Sequence, residues 1–163
     1  MAFDLYRYQK TNLIIWISIL SGVVVLTALA LVLDYGQIFY EYYNQALVSE
    51  IIFIFAIGLA CVILFLKRSV FRLDKLLDRA SALAQVDQKE NYVLSHVRRN
   101  YIILWILSEI LGILGFIFYL ITSDLRNCIL FSAVSIFSLL TNFPYKRTIR
   151  ICLENINPAE PSL

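Results

Sequence analysis

Tyr101-Ile102-Ile103-Leu104-Trp105-Ile106-Leu107-Ser108-Glu109-Ile110-Leu111-Gly112-Ile113-Leu114-Gly115-Phe116-Ile117-Phe118-Tyr119-Leu120-Ile121-Thr122 is an unbroken apolar run that carries one carboxylate. A helix needs about 20 apolar residues to cross the hydrocarbon of a bilayer, and this stretch is long enough. A charge at mid-bilayer costs at least a few kcal/mol on insertion scales, so such residues face a bundle interior and mark ion paths, proton relays or counter-ions. Glu109 is therefore the first residue to explain.

The rest of the chain has the same character. Hydrophobic residues make up 60% of it and charged residues 16%, where an ordinary soluble domain carries about 25% charged residues. With a mean hydropathy of +0.75, the class expected is an all-α integral membrane protein, a single domain over residues 1–163. The net charge of +2 is small, and the basic residues sit at helix ends, so no nucleic-acid partner is expected. Cys61, Cys128 and Cys152 are scattered and have no metal-ligand spacing, which reads as packing, with no metal and no cofactor. The lone His96 lies outside the apolar runs and reads as a surface or interface residue. No Ser/His/Asp set or phosphate loop is visible, and no enzyme activity is expected.

Four spans follow from length and hydropathy: Asn12 to Leu33, Glu50 to Lys67, Tyr101 to Thr122, and Asn127 to Tyr145. Glu109 is the only charged residue well inside any of them. Arg7 and Lys10 precede the first span, Lys67 to Arg99 separate the second from the third with eight basic residues, and Lys146, Arg147 and Arg150 follow the fourth. Only Arg126 remains for the opposite side. The positive-inside rule then places both termini and the middle segment in the cytoplasm of a multi-pass membrane protein. The segment Asp34 to Glu50 faces outward, with Tyr35, Phe39, Tyr40, Tyr42 and Tyr43 as an interfacial aromatic belt.

The middle segment, 68–100, is expected to be a cytoplasmic helical hairpin. Val70, Leu73, Leu76, Leu77, Ala80, Leu83 and Ala84 recur at three- and four-residue steps among charged residues, the pattern of an amphipathic helix. The second helix should run to about Ala84, turn near Asp87 to Glu90, and return as the start of the third. Residues 70–97 offer a surface for a cytoplasmic protein partner. The tail, Asn155 to Leu163, contains Pro158 and Pro161 and is expected to be mobile. Pro144 should close or kink the last span.

Counting about 1.5 Å per residue from Thr122 puts Glu109 roughly 20 Å from the outer boundary. Ser138 and Thr141 of the fourth span and Ser18 and Ser21 of the first fall near the same depth. Ser132, Ser135, Ser138 and Thr141 form a stripe that could point at the third span. Glu109, Ser108, Ser138 and Thr141 are thus the candidate ion-binding set. Gly112 and Gly115 follow Glu109 on nearly the same face and permit close helix approach, as do Ala56, Gly58 and Ala60 of the second span. A protonated carboxyl in such a seam can donate a hydrogen bond and release its proton when a wet path opens.

Ser108 to Ile117, with Glu109, Gly112 and Gly115 in register, resembles the carboxylate helix of rotary ATPase proteolipid (c-type) subunits, especially the vacuolar kind. The resemblance implies that Glu109 binds and releases a proton or Na⁺, and that the chain is a four-span bacterial relative of these subunits, in the inner membrane, forming a homo-oligomeric ring or bundle. Two other readings stand beside it. One is a structural or scaffold membrane subunit without ion transport. The other is a small dimeric proton-coupled exporter, a class that also relies on one membrane glutamate.

Overall fold

The structure, a computed structural model, describes residues 5–36, 46–70 and 86–144. Those residues form four α-helices and no strand: α1 (Leu5–Tyr35), α2 (Ala46–Val70), α3 (Val86–Thr122) and α4 (Leu125–Thr141). Helices α1, α2 and α3 are each long and apolar enough to cross a membrane, whereas α4 is a shorter apolar helix. None of the four contains proline, and branched and straight-chain apolar residues keep each helix unbroken.

Helix α3 is the axis of the bundle and packs against all three others, while α1 packs on both α3 and α4. Contacts between α1 and α3 advance together along both helices, from Tyr8 with Leu94 through Gly22 with Glu109 to Ala30 with Tyr119, so the two run parallel. Helices α2 and α4 run the opposite way, with Phe53 beside Phe131 at one end and Lys67 beside Thr141 at the other. The reversal from α3 to α4 takes two residues. Ser123 adopts a left-handed φ of 54°, and Asp124 caps α4 by accepting a hydrogen bond from the Asn127 N–H at 3.2 Å.

The core divides by depth. Trp16, Val97, Tyr101, Trp105 and Leu139 fill one end, Ala56, Leu111, Phe118 and Phe131 the α2 side, and Ala30, Tyr119 and Cys128 the other end. The last carbonyls of a helix have no partner within it and need donors from elsewhere. At the end of α4, one side chain from each of the other three helices donates to these groups. Trp16 Nε1 reaches Leu139 O at 2.9 Å, Trp105 Nε1 reaches Asn142 O at 2.8 Å, and Lys67 Nζ reaches Thr141 O at 3.3 Å.

Two expectations are corrected. Asp87 to Glu90 do not form a turn: they belong to the first turns of α3, which begins at Val86. Acidic residues suit a helix N-terminus, and no glycine or proline breaks the chain there. The last helix runs Leu125–Thr141, shorter than the span expected to reach Tyr145. Asn142 caps it, with Pro144 two residues beyond, which cannot donate to the helix ladder. The first helix begins at Leu5 and contains the apolar stretch from Asn12 to Leu33. The amphipathic run from Leu73 to Ala84, Phe39, Tyr40, Tyr42 and Tyr43 of the aromatic belt, Cys152 and the tail lie outside the described residues.

Candidate functional site

Glu109 sits on the edge of α3 that faces α1. A Cβ added to Gly22 would lie 3.1 Å from Glu109 Oε1, so the carboxylate rests over the bare backbone of α1 where any larger residue would crowd it. The side chain is half-buried and makes no hydrogen bond or ion pair with any described residue. On one side of it α3 turns into the bundle at Gly112. On the other it presents Ile103, Ile106, Ile110, Ile113 and Ile117, all exposed.

Ser108 points elsewhere. Successive residues of a helix diverge by about 100°, and the buried Ser108 meets α4. Its hydroxyl donates to Leu104 O at 2.8 Å, so the contact with Ser138 Oγ at 2.7 Å is supplied by the Ser138 proton. Ser135 donates to Ser108 O at 2.5 Å. Ser108, Ser135 and Ser138 thus clasp α3 to α4, the use of hydroxyls ordinary in membrane helix packing. Of the residues expected to surround the carboxylate, Ser108 and Ser138 are brought together, but with each other. Thr141 is exposed and donates to its own helix at Ser138 O. Ser18 and Ser21 are also exposed and bond back to Ile14 O and Ser18 O.

The glycines separate into used and unused. A Cβ at Gly112 would meet Val23 at 3.0 Å and Ser135 Oγ at 3.3 Å. One at Gly115 would meet Phe131 Cβ at 2.7 Å. Both glycines are filled from within the same chain, by α1 and α4. Ala56 is buried against Leu111 and Phe118, with Ala60 partly buried beside it. Gly58 is different: a Cβ there meets nothing within 4 Å, and the close approach expected of it is absent within the chain. It lies on the outward face of α2 with Ile54 and Phe65.

Two features escaped the sequence reading. Gly22 is the only glycine of the first span and falls at about the depth of Glu109, a coincidence that could have singled it out. The other is Asn12, taken only as the start of that span. It is fully buried one turn from Tyr8 and Trp16, and neither its Oδ1 nor its Nδ2 has a hydrogen-bond partner among the described residues. A buried polar group left unpaired costs about 1–3 kcal/mol. Asn12→Leu is therefore expected to raise stability by about 1 kcal/mol or more, measured as the midpoint of unfolding in mixed micelles. Loss of stability would show that the amide is paired in the folded protein. His96 stacks on Tyr92, and its Nδ1 accepts from Arg99 at 3.1 Å, a local contact of the helix surface.

Comparison with known proteins finds no matching family model, curated protein or solved structure.

Proposed function

We propose that this chain is a four-span, proteolipid-like membrane subunit in which Glu109 takes up and releases a proton or cation in the seam between α1 and α3, and that identical copies assemble to close the open side of that seam. Arg7, Lys10, Lys67, Arg68, Lys89, Arg98 and Arg99 lie toward one end of the helices together with Asp87 and Glu90, and only Arg126 among the described basic residues lies toward the other, with Asp34, Glu50 and Asp124. That segregation supports insertion with both termini on the basic, cytoplasmic side and α4 as the fourth span. Among the described residues, Glu109 is the one charge between the two ends.

The observation that carries the ion-site reading is the placement of Oε1 over Gly22 with no pairing group. A structural carboxylate inside a bundle is held by an ion pair or by donors, because an unpaired charge away from water is expensive. Neutralisation by a proton, or pairing with a small cation, removes that cost. The open edge beside Ile106 and Ile110 gives a second copy a surface to cover.

Labelling with dicyclohexylcarbodiimide in lipid nanodiscs tests the reading, because the reagent attacks protonated carboxyls in apolar surroundings. Modification is expected at Glu109, to fall as pH rises, and to vanish in Glu109→Gln while the assembly keeps its mass. A labelling yield at Glu109 that does not change with pH would overturn it. The mass of the embedded assembly separates the arrangements: about ten or more copies would mark a ring, two an exporter-like dimer.

A further inference from the structure

We propose that the groove at the basic end of α3 binds the phosphate of an anionic phospholipid, with one acyl chain entering over Ile102 and Ile103, above the stretch of α3 that a second copy would cover. The inference rests on the chain being membrane-embedded but not on the role of Glu109.

A groove of about 410 Å³ opens beside α3 where its polar N-terminal turns give way to the apolar run, and its lining includes Tyr8, Ser95, Arg98, Arg99, Ile102 and Ile103. Its two ends differ in chemistry. At the upper end Arg98 is half-buried and has no carboxylate or hydrogen-bond partner among the described residues. Arg99 is exposed and engaged only laterally, through His96. Ser95 adds a hydroxyl that bonds back to Tyr92 O at 2.9 Å and retains acceptor capacity. At the lower end Ile102 and Ile103 form an apolar floor.

The register of α3 joins the two ends. Arg99, Ile103, Ile106, Ile110, Ile113 and Ile117 follow at alternating four- and three-residue steps and so share one face. All five isoleucines are exposed. One helix thus presents a cation at the level of lipid headgroups and, directly beneath, at Ile103, the start of an apolar strip running toward the bilayer centre. A free phosphate would satisfy the guanidinium alone, and a neutral lipid the strip alone. An anionic phospholipid satisfies both, and basic pockets between helices on the cytoplasmic side are suited to such headgroups. A guanidinium can grip a phosphate through two parallel N–H donors, which gives the site orientation as well as charge. Arg98 is the anchor because it is partly enclosed and otherwise unpaired. Tyr8 holds α1 against α3 at this level, its hydroxyl donating to Leu94 O at 2.8 Å, and so keeps the groove wall in place.

The test is native mass spectrometry of the full chain released from nanodiscs containing equal parts phosphatidylglycerol and phosphatidylcholine. The wild-type protein is expected to keep phosphatidylglycerol adducts in clear preference. Arg98→Gln should lower their occupancy about tenfold, Arg98→Lys less, and Arg68→Gln, on the exposed end of α2, should leave it unchanged. Millimolar inorganic phosphate should not displace the lipid. Equal retention of both lipids, an Arg98→Gln protein that binds as the wild type does, or displacement by phosphate would each overturn the proposal. Tryptophan fluorescence of each variant checks that the Trp16 and Trp105 core is intact. Failure of the wild-type chain to enter nanodiscs would instead overturn the membrane reading, and this site with it.

Discussion

Trp105→Ala is expected to be the most damaging single substitution in the described bundle, lowering stability by about 3–5 kcal/mol. Trp105 has no exposed surface and packs in one cluster with Trp16, Val97 and Leu139. Its ring lies 5.6 Å from that of Tyr101, the two planes inclined by 29°. Lipid tails are as apolar as a protein core, so the loss in a bilayer comes from packing and from the cavity left behind, not from transfer to water. The indole also gives Asn142 O its donor at 2.8 Å, so truncation leaves a buried carbonyl unpaired. Trp105→Phe separates the two contributions. It keeps most of the ring, removes the N–H, and should cost about 1 kcal/mol. Both values follow from titrating the purified protein from a mild detergent into dodecyl sulfate. A Trp105→Ala protein as stable as the wild type would mean that the cluster is not the core of the folded molecule.

Gly115→Leu is the second large effect, and it differs in kind because it adds atoms. The first of those atoms would already lie 2.7 Å from Phe131 Cβ and 3.3 Å from Cys128 O. Neither neighbour can swing aside, since one is bonded to the main chain and the other is part of it. Helices α3 and α4 must separate, which also strains the Ser108–Ser138 clasp. Gly115→Ala should cost about 1–3 kcal/mol, within the range for overpacked cores, and the leucine variant more. Gly58→Ala provides the contrast in the same titration. With open space around it, it should be neutral or stabilise by up to about 1 kcal/mol, because alanine favours helix over glycine. If both alanine variants behave alike, α3 and α4 do not pack as described.

The long apolar runs made the helices legible because crossing length and hydropathy are properties of each segment alone. Their ends were less so. The first helix starts at Leu5 and α3 at Val86, since a polar sequence without glycine or proline extends a helix past the last apolar residue. The candidate site was readable in one residue. Glu109 declares itself by its charge, but its surroundings depend on how α1 and α4 are rotated about α3, and depth along a helix does not give rotation. Ser108 and Ser138 share a level with Glu109 yet face away from it, whereas Gly22, with no side chain to draw notice, is the residue the carboxylate lies over. Gly58 shows the same limit from the other direction: a small residue permits close approach but does not bring a partner.

The donors that gather on the end of α4 bear on where the bundle first comes loose. At about 1.5 Å per residue, α4's 17 residues span about 25 Å, short of a ~30 Å hydrocarbon layer. Its terminal carbonyls are met by Trp16, Lys67 and Trp105. Each of the three earlier segments thus holds the tip of the last one, and loss of either indole should loosen that tip before the remainder of the bundle gives way.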